Sequence, residues 1–514
     1  MSILRSGIVV AFFTLLSRIS GLLRELSMAY IFGSSSHADC INVALKFPNL
    51  FRRIFAEGAL TSVFVPMYSG KLRQGPSFAR EFASKISTML LCFLICIVII
   101  MQIFMPQMMA LLAPGFYGGG RFELAVMLSR ITMPYLVFIS LSALMGSMLN
   151  SVNHFKAFAA VPILLNIVII AGCGISSARN ADSQQSATII AWCVIASGVC
   201  QIIFMYYFLQ KHKLHFSLTR KFFLGDSKEL LKQMLPAAFS AGMVQISLFI
   251  SQSLASFIDG GISIIGYAER VYQFPLSLIG TAFGTVLLPR LSRLYVSQDL
   301  YAAGQMQEKS FKFALMISVP AGIGLYLLAD WIVHVIYQRG AFSSADSLKT
   351  SACLACFSVG LPAFIVNKIL TPIFYANNDQ KSPFKISLYS LIVDVAMSFV
   401  LMRLYGAPGI ALASSLSAWL NCYLLLRTCK RKSYFDIMII DIWPFIARLL
   451  LCSAIMALAL LVGKACFSQI YHQSTSVIKL LLLGVMIFAS FSIYVVSSLM
   501  CGAIARQDIT TLFK

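Results

Sequence analysis

Residues 17–25 read Ser17-Arg18-Ile19-Ser20-Gly21-Leu22-Leu23-Arg24-Glu25, inside an otherwise apolar run from Gly7 to Phe32. About twenty apolar residues in a helix cross the hydrocarbon core of a bilayer, so the run is long enough to span. An arginine near the centre of a span costs about 2.5–3.5 kcal/mol on the insertion scale. Side chains near a helix end escape that cost by snorkelling. Arg18 and Arg24 lie too deep to do so easily. Ser17, Gly21 and Arg24 follow the i, i+4, i+7 spacing of one helical face, with Arg18 and Glu25 on an adjacent one. That face is too polar for lipid and must look into a bundle of helices. Arg5 followed by apolar residues resembles the start of a leader. No small-residue cleavage site follows, however, and the run continues to Phe32, so it reads as a full-length span.

The rest of the chain supplies the bundle. Of 514 residues 59% are hydrophobic and 11% charged, against about 25% charged in a soluble domain. Apolar runs recur end to end and predict an all-α polytopic membrane protein of about fourteen transmembrane helices. They lie near 7–33, 38–68, 82–112, 122–149, 157–176, 187–209, 230–257, 263–289, 308–337, 348–376, 384–404, 409–427, 443–467 and 478–502. The thirteen cysteines are scattered, and even the CxxC pair Cys353 and Cys356 falls in a span, where small packing residues are expected. The six histidines do not cluster; His212 and His215 fall in a basic loop and read as solvated. No metal site is expected.

The net charge of +21 reflects topology and not nucleic acid binding. Lys71, Arg73, Arg80, Lys156, Lys211, Lys213, Arg220, Lys221, Lys228, Arg290, Arg293, Lys309, Lys381, Arg427, Lys430, Arg431 and Lys432 fall in one set of loops. The alternate loops hold few, including Arg121, Arg179, Arg339 and Lys464. By the positive-inside rule the basic loops and both termini are cytoplasmic.

Two junctions repeat. Ser62-Val63-Phe64-Val65-Pro66 at the end of span two returns as Thr285-Val286-Leu287-Leu288-Pro289 at the end of span eight, an offset of 223. Asn153-His154-Phe155-Lys156 returns as Asn378-Asp379-Gln380-Lys381, an offset of 225. The expected architecture is two parallel six-helix lobes, residues 1–220 and 221–432, with two extra spans in 433–514. Parallel repeats of this kind are a transporter design, with a site between lobes that rock against each other.

Charges inside other spans extend the polar face. Asp39, Asn42, Lys46, Asn49 and Arg53 recur at helical spacing, with Arg52 beside them and Glu57 four residues after Arg53. Pro48 should break or kink that helix. Span eight adds Glu269 and Arg270, followed by Phe274-Pro275, which echoes Phe47-Pro48. Arg53 and Glu57 could equally pair with each other. For the set, Arg18, Arg24, Lys46, Arg52, Arg53 and Arg270 outnumber Glu25, Asp39, Glu57 and Glu269. The surplus points to an anionic ligand in a cationic cavity, because guanidinium groups fork onto phosphate. Asp394 lies mid-span with Ser390 one turn before it. It either holds a coupling cation or proton or is hydrogen-bonded within its own bundle.

The segments "SRISGLLRE", "FGSSSHADC", "KFPNLFRRIFAEGALTSVFVP" and "YAERVYQFPLSLIGTAFGTVLLP" together resemble the MurJ (MviN) family of lipid II flippases, in the MOP exporter superfamily. The resemblance covers essentially the whole chain. It implies a MOP/MATE-like fold and a transporter, not an enzyme, of the bacterial inner membrane. The implied substrate is undecaprenyl-pyrophosphate-linked disaccharide pentapeptide, moved from the inner to the outer leaflet by alternating access. Among the candidate substrate-binding residues Arg18, Arg24, Arg52 and Arg270, the resemblance implies that Arg24, Arg52 and Arg270 contact the pyrophosphate, while Arg18 and Glu57 shape the cavity or its gate. Ser17, Gly21, Glu25, Asp39, Lys46, Asn49, Arg53 and Glu269 complete the cavity or gate. Glu25 and Glu269 stand where the family usually has Asp, so gating ion pairs there are less fixed than the arginines. Spans thirteen and fourteen would form a groove for the polyprenyl tail. No cofactor is implied beyond a coupling monovalent cation (Na+ or H+) or the membrane potential. Membrane lipids and cell-wall synthesis proteins are further possible partners.

Two other readings differ in chemistry. A polysaccharide-repeat flippase would share the architecture, whereas a cation-exporting drug transporter would want an acidic cavity. A polyprenyl-phosphate-dependent glycosyltransferase would need catalytic carboxylates in an extended loop, and these loops are short and acid-poor.

Overall fold

The computed structural model describes residues 3–53, 60–220, 228–230, 232–234, 249–434 and 439–502. Glu57 and parts of the second and seventh expected spans lie outside the described residues. Among the described residues all regular structure is helical.

The first stretch comprises α1 (Ile3–Phe32), α2 (Ser36–Phe51), α3 (Thr61–Gln74), α4 (Pro76–Ile103), α5 (Met105–Leu112), α6 (Gly120–Thr132), α7 (Tyr135–Ser151), α8 (Lys156–Ala178) and α9 (Ser183–Lys211). The second comprises α10 (Gly261–Val296), α11 (Leu300–Leu327), α12 (Ala329–Tyr337), α13 (Ser344–Ala376), α14 (Lys381–Tyr405), α15 (Ala407–Arg431), α16 (Ile439–Gln473) and α17 (Ser476–Met500). Ten helical segments among the described residues are long and apolar enough to cross a membrane. They coincide with ten of the expected spans, and the protein is a multi-pass, all-α membrane protein.

Three expected spans are interrupted. The run 82–112 divides at Phe104, ahead of Pro106, and the run 122–149 divides at Met133-Pro134. The run 308–337 divides at Leu328, where α11 hands over to α12. A proline lacks the N–H that would continue the ladder, which accounts for the first two. Conversely, Pro66 and Pro289 do not end their helices: α3 runs on to Gln74 and α10 to Val296, carrying basic residues along.

Pro48 also leaves α2 unbroken. A proline frees the carbonyl four residues earlier, here that of Ala44, and the hydroxyl of Thr132 on α6 donates to it at 2.9 Å. Pro320 in α11 frees the carbonyl of Met316, which accepts the Tyr494 hydroxyl of α17 at 2.6 Å. Each helix thus passes through its proline with the orphaned acceptor satisfied by a neighbour.

Caps set the other boundaries. Ser35, Asp182 and Asp299 accept a backbone N–H at the starts of α2, α9 and α11, and Ser343 with Asp346 forms a capping box before α13. The repeated Asn junctions close their helices in the same way. Asn153 and Asn378 adopt φ of 63° and 56°. The next residues, His154 and Asp379, donate to Leu149 and Phe374 carbonyls, both at 2.9 Å. New helices then begin at Lys156 and Lys381. This is the turn in which a left-handed residue satisfies the last helical carbonyls.

The chain forms two compact units, residues 1–263 with 339–342, and residues 264–338 with 343–514. In the first, α8 packs between α1 and α9, α2 lies on α6, and α7 joins α3 to α9. In the second, α13 is central, against α11 and α15, with α14 on α15 and the α16–α17 hairpin against α11. Three polar anchors fix that hairpin. Tyr471 stacks on Trp331 at 4.0 Å. Lys464 pairs with Asp330 at 2.7 Å, and Lys479 meets His334 at 3.3 Å.

Candidate functional site

The face Ser17–Gly21–Arg24 converges on one residue of α8, Asn166. Its Oδ1 accepts from Arg24 Nη1 at 3.1 Å, and its Nδ2 donates to Ser20 Oγ at 2.9 Å and to the Ser17 carbonyl at 3.3 Å. A Cβ at Gly21 would sit 3.6 Å from that Nδ2, in ordinary contact, and α1 does not bend there. Arg24 also pairs with the adjacent Glu25 at 2.6 Å, with side-chain exposures of only 15% and 12%. Glu25 is therefore the immediate counter-charge of Arg24 in this conformation. Arg18 is exposed on the neighbouring face.

Arg52 follows α2, half-buried, and its Nε donates to Asn49 Oδ1 at 3.1 Å. Tyr135 of α7 is buried within electrostatic reach of both Arg24 and Arg52. Its hydroxyl donates to Gln201 Oε1 at 3.2 Å, and Gln201 Nε2 donates to the Val161 carbonyl at 3.2 Å. Helices α1, α2, α7, α8 and α9 thus share one polar network inside the first unit. Lys46 and Arg53 are exposed.

Asp39 has a different setting from the rest of its stripe. It is fully buried, and its Oδ1 accepts the Ser263 N–H at 2.8 Å and the Ser263 hydroxyl at 2.7 Å, while Asn42 Nδ2 reaches the same hydroxyl at 3.0 Å. It caps the first turn of α10. Next to it, Gly260 (φ 71°) faces the Ser34 carbonyl and Gly340 (φ 61°) faces that of Tyr30, each so closely that a Cβ would collide. Ala341 N–H donates to the Tyr30 carbonyl at 2.8 Å. Turns 33–35, 257–263 and 339–342 of the first unit therefore interlock backbone to backbone.

In the second unit Glu269 accepts from Gln273 at 2.7 Å, and Arg270 is exposed. Ser390, Asp394 and Ser398 form a buried line along α14. The Ser417 hydroxyl of α15 donates to the Ser390 carbonyl at 2.7 Å, and Ser414 hydrogen-bonds the Asp394 carboxyl. His212, expected to be solvated, instead stacks on His154 with ring centroids 3.6 Å apart. Sequence reasoning missed Asn166, Tyr135, Gln201 and Ser263. Asn166 was the most visible of them, as an amide inside an apolar run.

Buried arginines and carboxylates held by amides and hydroxyls, inside a bundle of long apolar helices, define a multi-pass membrane transporter. A MATE-family multidrug transporter of the MOP superfamily, inward-facing, matches 83% of this chain and 97% of its own with a TM-score of 0.65, at 15% identity, which speaks to the fold. The family is narrower: the chain belongs to the lipid II flippase MurJ family, whose model matches residues 28–504. A probable lipid II flippase MurJ of Rickettsia prowazekii (strain Madrid E) is 43% identical over 495 residues, covering 96% of this chain and 97% of that one. One from Rhizobium tropici is 36% identical over 513 residues, covering 98% and 95%. A solved lipid II flippase MurJ in an inward closed conformation superposes with a TM-score of 0.76 at 25% identity, covering 96% and 98%.

Proposed function

We propose that this protein flips lipid II, the lipid-linked peptidoglycan precursor, from the inner to the outer leaflet of the bacterial inner membrane by alternating access. Family membership over nearly the whole chain carries the reading. Arg18, Arg24 and Arg52 in the first lobe and Arg270 in the second bind the pyrophosphate. The hold of Asn166 and Glu25 on Arg24, and of Asn49 on Arg52, supports that assignment by presenting rigid guanidinium forks. Ser17, Gly21, Asp39, Lys46, Arg53, Glu57 and Glu269 line or gate the path.

The chain crosses the membrane fourteen times with both termini cytoplasmic. It forms six-helix lobes from residues 1–220 and 221–432, and the shared turn at Asn153 and Asn378 supports the repeat. Residues 433–514 guide the polyprenyl tail while the polar head crosses. Asp394 and Ser390 serve a coupling Na+ or proton, supported by a buried carboxylate among serines.

The test is complementation of a flippase-depleted bacterium together with outer-leaflet exposure of lipid II. Arg24→Ala, Arg52→Ala and Arg270→Ala should each abolish both while the protein still inserts. Full activity in all three removes the arginine site, and exposure that persists after depletion removes the flippase reading. Covalent polymerisation of lipid II by the purified protein would favour a glycosyltransferase instead.

A further inference from the structure

The α16–α17 hairpin brings two thiols together at its inner end. Cys452 of α16 is fully buried, and its side chain is in hydrogen-bond contact with that of Cys501, the half-buried residue that ends α17. Helical spacing explains the approach. Tyr494, Ser498 and Cys501 occupy one face of α17 at i, i+4, i+7, and Tyr494 and Ser498 are buried against the bundle. On α16, Arg448 stands one turn before Cys452 and donates to the carbonyl of Gly502, the residue after Cys501, at 3.3 Å. The register between the two helices is therefore fixed on both sides of the thiols.

We propose that Cys452 and Cys501 form a redox modification site, closing as an intramolecular disulfide under peroxide and stapling the inner ends of the hairpin. Cys501, at the open edge, reacts first. Its thiolate sulfur attacks hydrogen peroxide, the S–O bond forms, the O–O bond breaks, and hydroxide leaves as water with the thiol proton. The Cys452 sulfur then attacks Cys501 Sγ. The S–S bond forms, the S–O bond of the sulfenic acid breaks, and the second hydroxide leaves as water with the Cys452 proton. Two thiols and one peroxide thus give one disulfide and two waters, and a dithiol reductant reverses the change. Because the thiols already touch, closure needs only side-chain rotation. The burial of Cys452 shields it from every partner but Cys501.

The experiment treats the purified full-length protein with hydrogen peroxide, alkylates free thiols, and maps peptides by mass spectrometry. The expected result is a Cys452–Cys501 linked peptide, lost on dithiothreitol and absent in Cys501→Ser and Cys452→Ser. Phenylarsine oxide, which bridges neighbouring thiols without oxidation, should protect both cysteines from alkylation in the untreated wild type and neither remaining thiol in the single variants. A Cys501 sulfenic acid that persists beside an alkylatable Cys452, or linkage of either cysteine elsewhere, would overturn the proposal. So would failure of the arsenical to protect the pair, and this readout stands even where a serine variant folds poorly.

Discussion

Replacing Asn166 with alanine should loosen α1 from α8 and release Arg24. The side chain makes three hydrogen bonds, to Arg24 Nη1, Ser20 Oγ and the Ser17 carbonyl. A hydrogen bond to a charged group contributes roughly 1.5–3 kcal/mol and one between neutral groups about 0.5–1.5 kcal/mol. Ser20 keeps a partner, since its hydroxyl also donates to the Ser17 carbonyl at 3.0 Å. Arg24 keeps Glu25 but loses its only cross-helix bond among those described above. Allowing for these remnants, the expected loss is about 2–4 kcal/mol. It should appear as a lower thermal midpoint in detergent, with complementation weakened in parallel. Asn166→Asp separates the two roles: it keeps an acceptor for Arg24 but removes both donations to α1. It should hold activity better than alanine while recovering less of the stability. If Asn166→Ala unfolds like the wild type and complements fully, Asn166 does not position Arg24.

Three further outcomes follow from the same geometry. Thr132→Val and Tyr494→Phe should each destabilise by about 1–3 kcal/mol, because the Ala44 and Met316 carbonyls freed by Pro48 and Pro320 lose their donors; Thr132→Ser should be near neutral in the same thermal assay. Gly260→Ala and Gly340→Ala should impair complementation more than Gly21→Ala, since the first two combine positive φ with a backbone collision and the third has ordinary contact. Asp379 is pushed up by burial, but the Lys432 ammonium at 2.5 Å and Ser382 outweigh this and hold its carboxyl below the ordinary 3.8. Its contribution is therefore present above pH 3.8 and lost as pH falls through the lower folded value; Lys432→Ala should flatten that part of the acid stability profile.

The i, i+4, i+7 spacing of Ser17, Gly21 and Arg24 was enough to assign them to one inward face, because helical geometry alone fixes which residues share a side. It could not name what they face. Asn166 sits in α8 among apolar neighbours, and a single amide in such a run looks the same whether it binds a partner or packs idly. Pro48 shows the reverse limit. Its sequence implies a break, yet the helix continues because a threonine from α6, more than eighty residues away, supplies the missing donor. The Asp39 stripe was legible as polar, but its role as a cap depends on Ser263, which is distant in sequence and close only after folding. Broken spans at Phe104 and Pro134 were readable from nearby prolines, whereas the handover at Leu328 has no such local mark.

The anchors of the α16–α17 hairpin have a mechanical consequence. Trp331–Tyr471, Asp330–Lys464 and His334–Lys479 tie it to α12, and Tyr494 ties it to α11. Much of its remaining surface, including Leu458, Leu461, Val485 and Phe488, is exposed and apolar, so lipid offers it no directional hold. The hairpin should therefore travel as an outrigger of α11 and α12, sweeping through the bilayer whenever that pair tilts. A small rotation at the bolted end would become a larger displacement at the far end, and the lever arm is the length of the hairpin itself.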